Sequence, residues 1–536
     1  MSQLPPTQDQ PTEKPGTSRL LRGSSVVGAA TMLSRVAGLA RDMALARFAG
    51  AGDAADAFFV AFKIPNFFRR LFAEGAFAQA FVPVLAEYRQ KGGIAAARAL
   101  NDRVAGALGG VLLLVTLFGV LCAPIVTGIF AFGWWWDGSE REKFDLAAGM
   151  LQITFPYLML ISLAGFTGAI LNSFDRFAIP ALTPIMLNLV LIGAATVGTA
   201  WFDPEILALA WGVLFAGLVQ LLFQLPFLAR EGLLPRPKWD WSHPGVRKIL
   251  RLMAPAIFGV SVTQISLVLD TLLASFLPSG SVSWLYFSDR LTELPLGVFG
   301  VAVATVILPS LSRLHSDGDP RRFRHTLDWA LRSVTLISLP AAVALVVLAE
   351  PLLTTLFQYG QMQPRDMQMA AWSLRAYALG LLAFMLIKVL APGYFARQDT
   401  YTPVRFGLIA ISAKMVLSLL FVIPLNHYFK LGHMGLALAT ACQAAINAWL
   451  LYKGLRRDDV YVPEAGWGRY LLRLLAANLA MVAVLVGLLY VWEAWSAWGW
   501  FERAWRMGII VAAGGSAYLL ALFVSGLRPR HFRATS

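Results

Sequence analysis

Arginines, lysines and carboxylates crowd two stretches of an otherwise apolar chain, and those stretches are where chemistry is to be sought. The first holds Arg35, Arg41, Asp42, Asp56, Lys63, Arg69, Arg70 and Glu74; the second, SWLYFSDRLTELP, holds Asp289, Arg290 and Glu293. Guanidiniums form bidentate bonds to phosphate and are less strongly hydrated than ammonium groups, so several in one cavity suit a phosphate-bearing ligand. Neighbouring carboxylates would hold the arginines apart, balance their charge in an empty cavity, or bind a coupling cation. The plainer alternative is a set of paired structural ions or snorkelling interface residues.

Helical spacing constrains which of these groups can meet. Arg35 and Asp42 are seven residues apart and share a face, while Arg41 points about 120° away. In the next stretch Asp56, Lys63, Arg70 and Glu74 align and leave Arg69 off their face. Pro65 and Asn66 can kink that helix and reset its phase, so the spacing does not choose between Arg69 and Arg70. Asp289 and Glu293 are four apart, Arg290 reaches Glu293 at three, and Pro295 interrupts just beyond. Lys388 and Lys414 also fall within apolar runs, with a pairing or ion role left open.

The elements that must carry these charges are membrane helices. Of 536 residues 57% are hydrophobic and 14% charged, against roughly 25% charged in a soluble domain, and the mean hydropathy is +0.63. Apolar runs of about 20 residues recur from Ser24 to Val524, each long enough for roughly 30 Å of hydrocarbon. The runs are continuous rather than alternating, which excludes a membrane barrel. About fourteen spans are predicted, centred near residues 35, 65, 115, 160, 190, 217, 262, 298, 343, 380, 414, 443, 481 and 515. An arginine or aspartate at mid-depth costs roughly 2.5–3.5 kcal/mol on insertion scales, so the charged groups must face a hydrated cavity, pair, or lie near the headgroups.

The net charge of +14 does not point to nucleic acid. Most of the basic residues sit in short alternate connections, among them Arg89 to Arg103, Arg230 to Lys248, Arg313 to Arg324 and Lys453 to Arg457. By the positive-inside rule those connections and both termini are cytoplasmic. The tryptophan-rich segments Trp134–Trp136 and Trp492–Trp500 read as interfacial belts. Cys122 and Cys442 lie in separate apolar runs and offer neither a disulfide framework nor a metal cluster. No HExxH, G-x-S-x-G, Walker loop or paired-cysteine motif occurs, so an enzyme is not expected. No cofactor is expected either, and a coupling cation of undetermined identity stays open.

A weak internal repeat organises the chain. Asp42, Phe48, Gly52 and Phe59 recur as Asp270, Phe276, Gly280 and Phe287, displaced by 228 positions, and Pro83 and Leu85 recur as Pro309 and Leu311, displaced by 226. Displacement by six spans makes this a parallel repeat with a ligand site between two six-helix lobes. The expected division is a disordered cytoplasmic tail (1–22), an N-terminal lobe (23–232), a C-terminal lobe (244–456), two additional helices (468–526) and a cytoplasmic tail (527–536).

The segments SRVAGLARDMALARFAGAG, DAFFVAFKIPNFFRRLFAEGAFAQAFVPVLAEY and SGSVSWLYFSDRLTELPLGVFGVAVATVILPSLSRL resemble those of the MurJ (MviN) family of lipid II flippases. The resemblance implies the multidrug/oligosaccharidyl-lipid/polysaccharide exporter fold, a central cavity, and a groove for the lipid tail made by the last two helices. It also implies a place in peptidoglycan biosynthesis at the bacterial inner membrane. By motif, Arg35, Arg41, Arg69 and Arg290 resemble the cavity arginines that engage pyrophosphate, and Asp56, Glu74, Asp289 and Glu293 the functional acids. Asn66 and Ser283 match further cavity positions, and the preference for Arg69 over Arg70 rests on the resemblance alone. The function so implied is translocation of lipid II by alternating access, with membrane lipids as the other partners and a monomer sufficient. The alternative is a cation-coupled exporter of drugs or of another polyprenyl-linked glycan.

Overall fold

The computed structural model describes residues 17–70, 77–136 and 138–527, and among these every regular element is helical. In the first half α1 (Thr17–Ala49), α2 (Asp53–Arg69), α3 (Ala78–Leu121), α4 (Ala123–Trp136), α5 (Arg141–Thr154), α6 (Tyr157–Ser173), α7 (Ala178–Thr196) and α8 (Leu207–Arg230) follow one another. The second half comprises α9 (Pro244–Ala274), α10 (Ser281–Pro295), α11 (Val301–Ser316), α12 (Pro320–Val347), α13 (Ala349–Phe357), α14 (Pro364–Phe395), α15 (Tyr401–Phe429) and α16 (Gly432–Arg457). Then come α17 (Trp467–Val491) and α18 (Trp500–Val524).

Eighteen helices arise where about fourteen spans were expected because several spans are broken. α3 joins two spans through Gly92 and Gly93, the latter at φ +67°, which a residue with a Cβ rarely adopts. The span near residue 298 consists of α10 and α11 joined by a π-helical turn, Leu296–Gly300. Among the described residues ten helical segments are long and apolar enough to cross a membrane; α1, α2, α10 and α11, which carry most of the charged groups, are not among them. The charges thus fall on helices that hydrocarbon alone would hold poorly.

Equivalent members of the repeat occupy equivalent places. Gly52 is the N-cap of α2 and Gly280 the N-cap of α10. α9 does not stay within the second half: it lies along α3 and α4, with its start at Gly245 against Tyr88 and Leu100, and Ser275 Oγ accepting from Gly133 N at 2.9 Å. The connection between the halves is tied to α3 as well. Lys238 N donates to Asp102 O (2.9 Å), Arg103 Nε to Asp240 Oδ2 (3.0 Å), and Trp239 packs on Gly110. The Ser242 hydroxyl and the Arg103 guanidinium hold the Asp240 carboxyl below its ordinary range.

The two additional helices pack on α12 and α13 around Leu474, Met481, Met507 and Ile510. A buried carboxylate pins their start: Asp328 of α12 accepts from Tyr461 Oη (2.7 Å), Trp467 Nε1 (2.7 Å) and Glu464 N (3.3 Å), and pairs with Arg332 Nε at 2.7 Å.

Candidate functional site

A cavity of about 440 Å³ lies between the halves, walled by α1, α2 and α7 on one side and by α9, α10, α14, α15 and α16 on the other. Arg41, Lys63, Arg69, Arg70, Arg290 and Lys414 line it, as do Asp270, Asp289 and Glu293. Asp42 stands directly behind Arg41. Among the described residues, six cations against four acids leave an excess of two positive charges, the complement of a ligand bearing about two negative ones.

Arg41 is fixed by partners from three elements. Its Nε and Nη2 donate to Asp42 Oδ1 at 3.0 and 2.7 Å, its Nη1 to Asn188 Oδ1 of α7 at 3.1 Å, and its Nη2 also approaches Tyr286 Oη of α10 at 3.2 Å. Tyr286 in turn donates to Asp42 Oδ1 at 2.8 Å. Arg290 lies over the Tyr286 ring, 4.9 Å from its centroid, pairs with Glu293 at 2.8 Å and stands 3.6 Å from Asp42 Oδ2. Asp42 therefore binds the first half's arginine and the second half's arginine into one cluster. Holding each guanidinium in a set geometry before a ligand arrives lowers the ordering cost of binding.

Asn66 accepts from Arg69 Nε at 3.1 Å while its own amide donates to Phe62 O. Both Arg69 and Arg70 line the cavity, so the either-or posed by helical spacing dissolves. The helix stays continuous through Pro65, and the cavity is wide enough to take side chains from two adjacent rows. Lys414 of α15 reaches Asp270 Oδ2 (2.5 Å) and Ser266 Oγ (2.7 Å) of α9 across the second half's wall. Glu74 lies outside the described residues.

Three expected cavity residues sit elsewhere. Arg35 does not line the cavity; its guanidinium lies against Gly297 in the π-helical turn, where a Cβ would come within 1.8 Å of Nη1. Asp56 and Ser283 are likewise absent from the lining and meet at the end of the interface where α2 and α10 begin. Asp56 Oδ2 accepts from Gly280 N (2.8 Å), and its Oδ1 from Ser283 N (2.9 Å) and Ser283 Oγ (2.6 Å). A carboxylate of α2 thereby caps the N-terminus of α10, where free N–H groups and the helix dipole favour an anion. Their helical register with the cavity charges holds, but both lie about two turns towards the N-terminal ends of α2 and α10.

That cap has a cation that sequence reasoning did not single out. Lys143 of α5 is buried, pairs with Asp53 (2.9 Å), Asp56 (3.4 Å) and Glu140 (3.2 Å), and stands over the Trp134 ring. Its signal in the sequence was faint, a single lysine shortly after the tryptophan-rich segment Trp134–Trp136. Asn188 and Tyr286 were equally silent, because a polar residue in an apolar run does not reveal its partner.

A sequence model described as "Lipid II flippase MurJ" matches residues 45–506. The chain belongs to the lipid II flippase MurJ family. A probable lipid II flippase MurJ from Vibrio cholerae is 48% identical over 524 residues, covering 97% of this chain and 99% of the relative. The lipid II flippase MurJ of Burkholderia cenocepacia is 39% identical, covering 96% and 99%. Among solved structures, a MurJ in an inward closed conformation aligns with a TM-score of 0.76 at 26% identity, over 93% of this chain and 98% of that one. An inward-facing MATE transporter of the MOP superfamily shares the fold, with a TM-score of 0.64 at 15% identity, over 81% and 98%. The chain is a multi-pass membrane protein of a MurJ, exporter-type fold, and the family is one of transporters rather than enzymes.

Proposed function

We propose that this chain moves lipid II from the cytoplasmic to the outer leaflet of the bacterial inner membrane by alternating access. The observation that carries the reading is the cavity between the halves, with its excess of two positive charges among the described residues, since a pyrophosphate diester carries two negative ones. Arg41 and Arg290, held by Asp42, would meet the pyrophosphate, with Arg69 and Arg70 opposite and Asn66 setting the angle of Arg69. Asp289 and Glu293 would keep the arginines apart while the cavity is empty. Arg35 would act at the edge of the cavity, against the π-helical turn. Asp56, Ser283 and Lys143 would serve as the outer latch, made in the outer-closed state and broken as the headgroup leaves.

No bond of the substrate is made or broken. A membrane potential of 100 mV is worth about 2.3 kcal/mol per charge moved, enough to return a positively charged empty cavity to its starting side. A coupling cation would be a second route to the same resetting, and no cofactor enters the cycle. The basic connections support a cytoplasmic location for both termini, and one two-lobed chain suffices as the working unit. The polyprenyl tail would stay in lipid, passing along the groove beside α17 and α18.

The test is translocation of fluorescent lipid II in vesicles reconstituted with Arg41→Gln or Arg290→Gln. Each removes a charge-assisted contact worth roughly 1.5–3 kcal/mol, so the rate should fall at least about tenfold. Unchanged translocation in both variants would refute the assignment. A panel of drugs and other polyprenyl-linked glycans, transported as fast as lipid II, would favour the cation-coupled exporter instead.

A further inference from the structure

A second basic pocket, of about 300 Å³, opens at the other end of the second half from the Asp56 cap. It forms where the α11–α12 turn, the end of α14 and the turn after α16 converge. Arg324, Arg397 and His315 face it, together with Asp319 and Asp459. Arg324 is set in place by its Nη2, which donates to the main-chain oxygen of Asp459 at 2.6 Å. Its Nε is buried without a hydrogen-bond partner, and so is Arg397 Nη1. Two guanidiniums from distant segments thus meet at one pocket, each with a buried donor unmatched within the protein.

The carboxylates do not cancel this charge evenly. Asp319 is spent on its own helix: Oδ1 accepts from Arg322 N at 3.0 Å as the N-cap of α12, and Oδ2 lies 3.6 Å from Arg322 Nε. The first turn of α12, a helix of 28 residues, adds the positive end of its dipole. Asp459 remains as an acceptor at the rim, suited to a hydroxyl group rather than to a second anion.

We propose that this pocket binds a phosphate monoester whose alcohol part carries hydroxyl or ester oxygens. The guanidinium groups of Arg324 and Arg397 take the phosphate oxygens, with His315 closing over them, and Asp459 accepts from the alcohol part. The volume admits a phosphate on a three- to five-carbon unit and little more. Because the pocket joins the ends of α11, α14 and α16, a bound ligand ties together three helices that also wall the central cavity or continue from it. It is distinct from that cavity, shares no residue with it, and does not depend on the identity of the transported lipid.

The shared chemistry occurs both in soluble esters and in a lipid headgroup, and two arms separate the sources. Full-length protein in phosphatidylcholine nanodiscs is dialysed against radiolabelled glycerol 3-phosphate. In parallel, nanodiscs containing phosphatidic acid are analysed by native mass spectrometry for retained lipid. Binding in the first arm identifies a soluble ligand and binding in the second alone identifies a headgroup; both support the site. Arg397→Gln and Arg324→Gln should each weaken that binding about tenfold or more. If a glutamine variant does not fold, Arg397→Lys decides, since it keeps the charge but loses the planar fork and should bind severalfold more weakly. Absence of binding in both arms overturns the proposal. So does binding that survives unchanged in the Arg397 variants, which would place the phosphate in the central cavity.

Discussion

Removing the Asp56 carboxylate should open the outer end of the interface, and the size of the effect follows from its contacts. The wild-type side chain accepts from two main-chain N–H groups and one hydroxyl, all buried, and faces Lys143 at 3.4 Å. Hydrogen bonds to a charged acceptor contribute roughly 1.5–3 kcal/mol each, but bonds sharing one acceptor do not add, and Lys143 keeps Asp53 and Glu140. Asp56→Ala should therefore cost the outer-closed state about 3–5 kcal/mol, the range for breaking a buried pair from one side. That shifts the balance between outer-closed and outer-open forms on the order of a hundredfold or more. Ser283→Ala removes one bond and should shift it only about tenfold or less. The assay is double electron–electron resonance between spin labels at Glu142→Cys and Gln361→Cys, both exposed at the outer end, with Cys122 and Cys442 replaced. Asp56→Ala should move the distance distribution to longer values, and Ser283→Ala should broaden it less. A distribution for Asp56→Ala that overlays the wild type would refute the latch.

Gly297→Ala should expel Arg35 from the π-helical turn, because the added carbon meets the guanidinium well inside contact distance. Lipid II translocation should fall severalfold while thermal stability in detergent changes by no more than about 1–2 kcal/mol, and an unaltered rate would remove Arg35 from the cycle. Asp328→Ala strands the donors of Tyr461, Trp467 and Glu464 and leaves Arg332 without its carboxylate. It should destabilise the attachment of α17 by about 3–5 kcal/mol, seen as faster limited proteolysis within residues 458–466, whereas a cleavage rate equal to wild type would contradict that anchoring role.

Much of this architecture could be read from the chain because the bilayer imposes a harsh rule: a run of about 20 apolar residues has few other fates. Charges that interrupt such runs are costly enough to announce a cavity, and Arg41, Arg69, Asp289, Arg290 and Glu293 do line one. Depth was harder. Asp56 shares a helical face with Lys63, so periodicity put both at one site, yet periodicity reports direction around the axis and not position along it. Arg35 was displaced for a related reason, since the π-helical turn that receives it has no signature beyond a glycine. Partners such as Asn188 for Arg41 and Lys143 for Asp56 lie 147 and 87 residues away in the chain, a distance over which local pattern carries no information.

The two halves repeat one another closely enough that Gly52 and Gly280 cap corresponding helices, but the carboxylate has no twin. The position 228 residues beyond Asp56 is Trp284, whose indole donates to Asp366 within its own half rather than reaching back to the first. A duplicated scaffold has thus placed its carboxylate latch on one side of the pseudo-symmetry, beside Ser279 Oγ donating to Asp53 Oδ1 at 2.6 Å and Gln361 N donating to Arg47 O at 2.9 Å. Loss of the Asp56 carboxylate therefore has no symmetric counterpart to share the load, and what still joins the two halves at that end is the pair of neighbouring bonds from Ser279 to Asp53 and from Gln361 to Arg47.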